Sequence, residues 1–504
     1  VKPEIRKSKM GVSPARAAAF DILLRVEQEA SFASELLHSA AYERFSPADH
    51  GLTTELVMGV LRWRSRLDAD IAGSSAQAIR KLDLEVLIAL RLGLYQLRWL
   101  NRIPARAAIN ESVELVKRAR KRSAAAFVNA LLRKLSKSAE PPAREYVSSE
   151  DLAQAFAHPV WLVERWAKEY GLAAAHRICQ YNQTIPVTAI RVYDHAAEGA
   201  LQKEGVVVDP GALLASAGRI RSGDVTRSQA FAHRQIAIQD EGSQLVAVLV
   251  GKGARILDCC AAPGGKTVAI AQRDSRAQII AVDLHPQRAY LLRRLIDSGK
   301  TFLDDAHADN SSSEKQQSRN GDKESAERSH SAKLETENIF VVSADARRLP
   351  FNGKFDRVLA DVPCSGTGTL ARNPEIKWRL KPEDLDELHA RQLAILRGAM
   401  DSVAAGGRVI YSTCSLEIEE NENAVEQALA QDNSFRLLDC RVELERLQAE
   451  GELVWSDLAS LTRGPYLRTL PGVHPCDGFF AAIIEKLWPS ILSGSPRTGS
   501  ELVR

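Results

Sequence analysis

No stretch of the chain approaches the ~18 uninterrupted apolar residues of a membrane-spanning helix, and the opening VKPEIRKSKMGVSPAR lacks the apolar core of a secretory signal. Both absences point to a cytoplasmic protein without a membrane partner. No Cys-x-x-Cys pair occurs among the seven cysteines. An odd, unpaired set fits neither a secreted disulfide framework nor a zinc module, so no metal is expected. These cysteines are then either small core residues or chemistry. The sequence also lacks compositional bias: 45% apolar and 26% charged residues exclude collagen, coiled coil and wholesale disorder. With 504 residues there is room for about three domains, each able to bury its own core.

The net charge of +3 is small only because two halves cancel. Residues 1–140 carry 24 Lys+Arg against 15 Asp+Glu, and the remainder is acidic. A basic front suggests a polyanionic partner, although such an excess also marks an ordinary soluble surface. The front reads as helices alone. Ser13-Pro14 and Ser46-Pro47 each put an N-cap serine before a proline at the first helical position. Apolar faces follow at helical spacing, first Phe20, Leu23, Leu24 and Val26, then Leu52, Leu56, Val57, Val60 and Leu61. Further helices are expected over 82–100, 109–116 and 123–135. Between the last two lies a basic cluster, Lys117, Arg118, Arg120, Lys121 and Arg122, that either grips phosphates or is a solvated helix end.

Ala139-Glu140-Pro141-Pro142 predicts a linker. A mixed α+β segment follows, with a helix over 159–170 and short strands at 187–192 and 205–208. From about Gly251, strands alternate with helices, as in a parallel doubly wound sheet. Strands are predicted at 255–259, 279–283, 339–343, 358–361 and 408–412. Residues 304–338 have Leu334 as their one large apolar side chain, and a disordered insertion is expected there. A flexible tail is expected over 489–504. The predicted domains are thus 1–140, 141–235 and 236–488.

The segment from Ile256 to Thr267, ILDCCAAPGGKT, is a strand entering a glycine turn that opens a helix, a place where backbone N–H groups face a ligand. A phosphate-binding P-loop fails on spacing, because its first glycine would fall on Cys260, and a dinucleotide fingerprint lacks its third glycine. A nucleoside ligand without a demanding phosphate remains, and S-adenosylmethionine fits. Asp283 ends the next strand, where it can accept from ribose hydroxyls, and Asp345 follows the third; alternatively each caps a helix. Two later strands end in DVPCSGTGT, with Asp361 and Cys364, and in YSTCS, with Cys414. Ligands of open parallel sheets sit beyond the carboxyl ends of the strands, so both thiols should lie near the cofactor. Burial in the core suits Cys179, Cys259, Cys440 and Cys476 better.

The AAPGGKT turn, DVPCSGTGT, RNPEIKW (372–378), STCSLEIEENE (412–422) and DGFF (477–480) together resemble the Nop/Sun family of RNA cytosine-5 methyltransferases, within it the bacterial RsmB (Sun/Fmu) type acting on small-subunit ribosomal RNA. The likeness spans about 235–487. The front, with AAINESVELVK and FVNALLRKL, is similar to a NusB-like RNA-binding domain. The resemblance implies a multidomain fold: an all-α NusB-like bundle, a small α+β segment and a Rossmann-like methyltransferase domain. It implies cofactor contacts from Cys260, Ala261, Ala262, Pro263, Gly264, Gly265, Lys266 and Asp283, with Asp345 and Asp361 contributing. Asp361 faces either cofactor or cytosine. Cys414 is implied as nucleophile and Cys364 as the group assisting product release.

A thiol makes chemical sense there. Cytosine C5 is too poor a nucleophile to attack a methyl sulfonium until a thiolate adds to C6, and the base must be unstacked for that. The expected substrate is a single-stranded or unstacked loop of small-subunit rRNA, and the expected state a monomer. The rivals are a transfer-RNA cytosine-5 methyltransferase, a non-catalytic RNA-binding assembly or antitermination factor, and the arrangement of DNA enzymes, with Cys364 as nucleophile.

Overall fold

The computed structural model describes residues 11–29, 31–39, 41–42, 45–138, 146–193, 196–297 and 338–489. The proline pair at 141–142, the expected insertion except for Asn338, and the tail beyond 489 lie outside them. The chain divides into two units, Val1–Pro186 with Thr369–Leu380, and Val187–Gly368 with Lys381–Arg504.

The first unit is helical, as its periodicity requires: α1 (Pro14–Gln28), α2 (Ala33–Leu37), α3 (Pro47–Arg62), α4 (Arg64–Ser74), α5 (Leu84–Trp99), α6 (Ala105–Arg118), α7 (Ala125–Leu135), α8 (Ser149–Ala155), α9 (Val160–Tyr170) and α10 (Leu172–Asn182). The predicted faces are buried: Phe20, Leu23 and Val26 of α1 and Leu56, Val57, Val60 and Leu61 of α3. Helices α1 and α3 pack on each other and both on α5, which is buried on nearly every side from Ile88 to Gln96. Ser46 caps α3 as expected, accepting from the Asp49 N–H at 3.1 Å. Ser13 does not cap α1. Its N–H and hydroxyl both donate to Glu111 at 2.8 Å, and the hydroxyl oxygen accepts from Arg16 Nη1 at 3.0 Å instead of from a helix N–H.

Segment 369–380, which holds RNPEIKW, packs within this helical unit. Its side chains satisfy carbonyls at helix ends: Trp378 Nε1 donates to Leu61 O at 2.6 Å, Lys377 Nζ to Arg62 O at 2.8 Å, and Arg379 to Val26 O and Ser31 O at 2.7 and 2.6 Å. In return Arg62 donates to Ala371 O at 2.9 Å, and Glu375 accepts the Ala33 N–H that opens α2.

The second unit holds two sheets. A four-stranded antiparallel sheet uses β1 (Ala189–Val192), β2 (Val207–Pro210), β3 (Ala217–Ser222) and β4 (Ile236–Ile238) in the order β2-β3-β1-β4. The larger sheet contains all five predicted strands, as β5 (Arg255–Asp258), β6 (Gln278–Asp283), β7 (Ile339–Ser343), β8 (Phe355–Asp361) and β9 (Val403–Thr413). Unpredicted strands follow: β10 (Phe435–Leu438), β11 (Thr462–Arg463), β12 (Tyr466–Arg468) and β13 (Phe480–Lys486). The order β11-β12-β13-β9-β8-β5-β6-β7 is parallel from β9 to β7, and β13 is antiparallel to β9. The chain winds outward from β5 to β7 on one side and from β8 to β9 on the other. The carboxyl ends of β5 and β8 therefore flank a topological switch point, where such sheets hold their ligands.

Candidate active site

At the end of β5, Asp258 is fully buried and accepts from the Thr267 hydroxyl at 2.7 Å. Burial pushes its pKa up to about 7 against the help of that bond. The chain then turns through 259–264 and enters the helix Gly265–Arg273. Gly264 has φ +113°, and a Cβ there would lie 2.5 Å from Leu292, so the turn requires glycine. The Cys260 thiol is raised first by burial, then by the charges of Asp258, Asp361 and Asp283, so three strand-end carboxylates converge around the turn.

Lys266, on the first turn of that helix, reaches across the switch point to Asp361 at the end of β8, Nζ to Oδ2 at 2.7 Å. Asp361 Oδ1 accepts from Ser412 at 2.7 Å, which extends the link to the end of β9. Burial alone would lower the Lys266 pKa; the charge and hydrogen bond of Asp361 outweigh it and hold the pKa above the ordinary lysine value, with further help from Cys414. The two thiols meet where β8 and β9 end: Cys364 Sγ and Cys414 Sγ are 3.3 Å apart, both cysteines free. The hydrogen bond with Cys414, then burial, then the charges of Cys414 and Glu420 push the Cys364 pKa well above the ordinary thiol value. The two sulfurs are within hydrogen-bonding reach of one another, and either thiol can be the donor. Cys179, Cys259, Cys440 and Cys476 are buried, whereas Cys260, Cys364 and Cys414 are partly exposed.

A layer behind the thiols was not singled out from the sequence. Glu420 is fully buried and links the residues following both cysteines: it accepts from the Ser365 N–H at 2.8 Å, from the hydroxyls of Ser365 and Ser415, and from Gln392 at 2.7 Å. Thr367 accepts the Leu416 N–H, and Asn421 donates to Ser415 O at 3.0 Å. Gly368 N–H donates to Cys414 O and Gly478 N–H to Gly368 O, which docks the DGFF motif onto the cysteine turns. The available signal was the STCSLEIEENE motif itself, whose acidic residues the reading left without a role.

Other expected residues are engaged locally. Asp283 ends β6 as predicted, but its Oδ1 accepts from the His285 N–H at 3.0 Å, as a local cap would. Both oxygens of Asp345 are held by Arg347, at 2.6 to 3.0 Å. In the basic cluster of the helical unit, Lys117 pairs with Glu114 at 2.7 Å, Arg118 with Asp21 at 2.7 Å and Lys121 with Asp83 at 3.0 Å, whereas Arg120 and Arg122 are exposed. Among the described residues no group of three or more His, Cys, Asp or Glu is arranged to hold a metal, and no helix is long and apolar enough to cross a membrane.

The family model described as 16S rRNA methyltransferase RsmB/F matches residues 248–323 and 309–485, and that of the NusB family matches 13–137. The chain is 31% identical over 488 residues to a probable ribosomal RNA small subunit methyltransferase B of Bacillus subtilis, covering 94% of this chain and 98% of that one. It is 29% identical over 481 residues to the ribosomal RNA small subunit methyltransferase B of Vibrio cholerae, covering 94% and 97%. Among solved structures, PH0851 is similar with a TM-score of 0.72 at 21% identity, covering 95% of this chain and 100% of that one. A methyltransferase homolog protein from Pyrococcus horikoshii has a TM-score of 0.51 at 22% identity, over 67% and 99%. These two likenesses speak for the fold.

Proposed function

Because the chain belongs to the RsmB/F family of 16S rRNA methyltransferases, with a NusB-family domain at its front, we propose that it methylates C5 of a cytosine in small-subunit ribosomal RNA through a covalent bond between Cys414 and C6. Residues 1–140 would hold RNA, 141–235 link, and 236–488 carry out the transfer. The observation that carries the reading is the thiol pair, 3.3 Å apart at the ends of adjacent parallel strands.

S-adenosylmethionine, when bound, supplies an electrophilic methyl group. The turn 260–266 and Asp283 would hold it, with Asp345 at the margin. The fit rests on the buried Asp258 Oδ1, which lacks a hydrogen-bond donor, and on the open-ended turn before Gly265. The chain's own residues then act in order. The Cys414 sulfur adds to C6 and pushes an electron pair onto C5, while Asp361 accepts from the exocyclic amine and is itself fixed by Lys266 and Ser412. Once C5 is methylated, a solvent water takes its proton, the C5–H electron pair re-forms the C5–C6 double bond, and Cys414 leaves as a thiolate. Cys364, in contact with the departing sulfur, supports that departure by donating to it.

Mapping 5-methylcytosine in ribosomal and transfer RNA from cells with and without the protein tests the reading. One small-subunit rRNA site should disappear. Loss from transfer RNA alone, or from neither, would overturn the substrate or the activity respectively.

A further inference from the structure

The two thiols lie in an uneven electrical setting. The nearby Lys266 ammonium is paired with Asp361 at 2.7 Å. Glu420 is fully buried, and its partners among the described residues are neutral: the Ser365 N–H, two serine hydroxyls and the Gln392 amide. The anchoring is also uneven. Ser365, the neighbour of Cys364, gives Glu420 both its N–H and its hydroxyl, whereas Ser415, the neighbour of Cys414, gives only a hydroxyl.

Resting on the roles proposed above for the two cysteines, we infer that Glu420 is a positioning residue that keeps the proton of the thiol pair on Cys364 and so selects Cys414 as the nucleophile. Moving that proton to Cys414 would leave a thiolate on Cys364, the sulfur whose turn is bound twice to the buried carboxylate. In a poorly screened interior such like-charge proximity is costly. A thiolate on Cys414, whose neighbour Ser415 gives Glu420 a single bond, avoids that cost. The other groups around Cys364 do not reverse this preference: Asp361 is neutralised by Lys266, the Tyr411 hydroxyl donates to the Glu420 carbonyl at 2.6 Å, and the Gly366 N–H, which favours a Cys364 thiolate, is outweighed. Glu420 thus acts through the thiols without touching substrate.

Glu420→Gln removes the charge and keeps the shape. Its amide oxygen can still accept from Ser365 N–H and Gln392, and the two serine hydroxyls can rotate to accept from the new amide nitrogen. The measurement is iodoacetamide labelling of the full chain without RNA or cofactor, at pH 7 to 9, with the two cysteines quantified separately by peptide mass spectrometry. In the native protein Cys414 should react about tenfold faster than Cys364. In Glu420→Gln that ratio should fall at least about fivefold, with an unchanged melting temperature. Gln392→Lys tests the same charge by another route, placing an ammonium where the amide now donates to Glu420 at 2.7 Å; it should lower the ratio likewise and covers the case in which Glu420→Gln does not fold. A folded variant of either kind with the native ratio overturns the inference. The labelling needs no turnover, so its outcome is independent of whether RNA methylation itself is found.

Discussion

Lys266→Met removes one charge from the link between the cofactor turn and the cysteine-bearing strands. The stem length is retained, and Asp361 is left with the Ser412 hydroxyl as its remaining partner from that link. At the observed 2.7 Å the gross attraction at an effective dielectric constant of ~20 is about 6 kcal/mol, much of it offset by the desolvation of both ions. Removing one partner of a buried pair typically costs about 3–5 kcal/mol, since the other charge stays behind. With side chains 15% and 25% exposed, the lower end applies, and a loss of about 3 kcal/mol is expected. Asp361→Asn in the same background removes the stranded charge, so the double variant should be more stable than Lys266→Met alone. Urea unfolding of all four proteins gives the coupling energy, expected at about 2 kcal/mol. Native stability in Lys266→Met, or single effects that add to within ~0.5 kcal/mol, would refute the view that this pair ties the strands together.

Four further outcomes follow from the same geometry. Cys414→Ala should give neither methylation nor a covalent RNA adduct on denaturing gels, whereas Cys364→Ala should accumulate adduct; the opposite pattern makes Cys364 the nucleophile. Asp283→Ala should weaken S-adenosylmethionine binding in calorimetry and, through the lost cap on the His285 N–H, cost about 1 kcal/mol of stability; unchanged affinity would move the ribose contact elsewhere. Asp258, with its pKa raised from 3.8 to about 7, holds a proton in the folded chain over a range where the unfolded chain has lost it, so its contribution to stability falls as pH rises through that window, by roughly 4 kcal/mol. Asp258→Asn should therefore be the more stable protein at pH 8 and lose its advantage by pH 4, and a pH-independent difference would contradict the assignment. Gly59→Ala puts a Cβ 1.9 Å from the Tyr95 ring, which stacks on Trp99 at 5.3 Å, and should cost about 3 kcal/mol of stability in the helical unit; an unshifted thermal transition would mean that the ring moves freely.

What the sequence disclosed follows from the range of the forces involved. The parallel strands of the second unit were visible because each is a short apolar run ending in a polar turn, and the helices because their faces repeat. Thr462–Arg463 and Tyr466–Arg468 are too short to carry any period, and the amino-terminal half of the strand Val403–Thr413, VAAGG, has the composition of a loop. At the site, the motifs marked Lys266, Asp361 and both cysteines. That Lys266 meets Asp361 and that Glu420 spans two turns depend on which strands lie side by side, and a linear sequence does not contain that neighbourhood. Asp345 shows the reverse case: the spacing Asp345-x-Arg347 is local, and the pair it forms was open to inspection from the start.

The loan of residues 369–380 to the helical unit has a consequence for synthesis. Helices ending at Asn182 leave the ribosome well before the segment that caps their carbonyls has been translated. At ~5–20 residues per second, the delay between residues 186 and 369 is roughly ten to forty seconds. During that interval the carbonyls of Val26, Ser31 and Leu61 must be served by water, while Arg62 O can keep the Gln183 amide that donates to it at 3.1 Å. Completion of the amino-terminal unit is thus a post-hoc event, timed by the arrival of the chain that has just laid down the Cys364 turn.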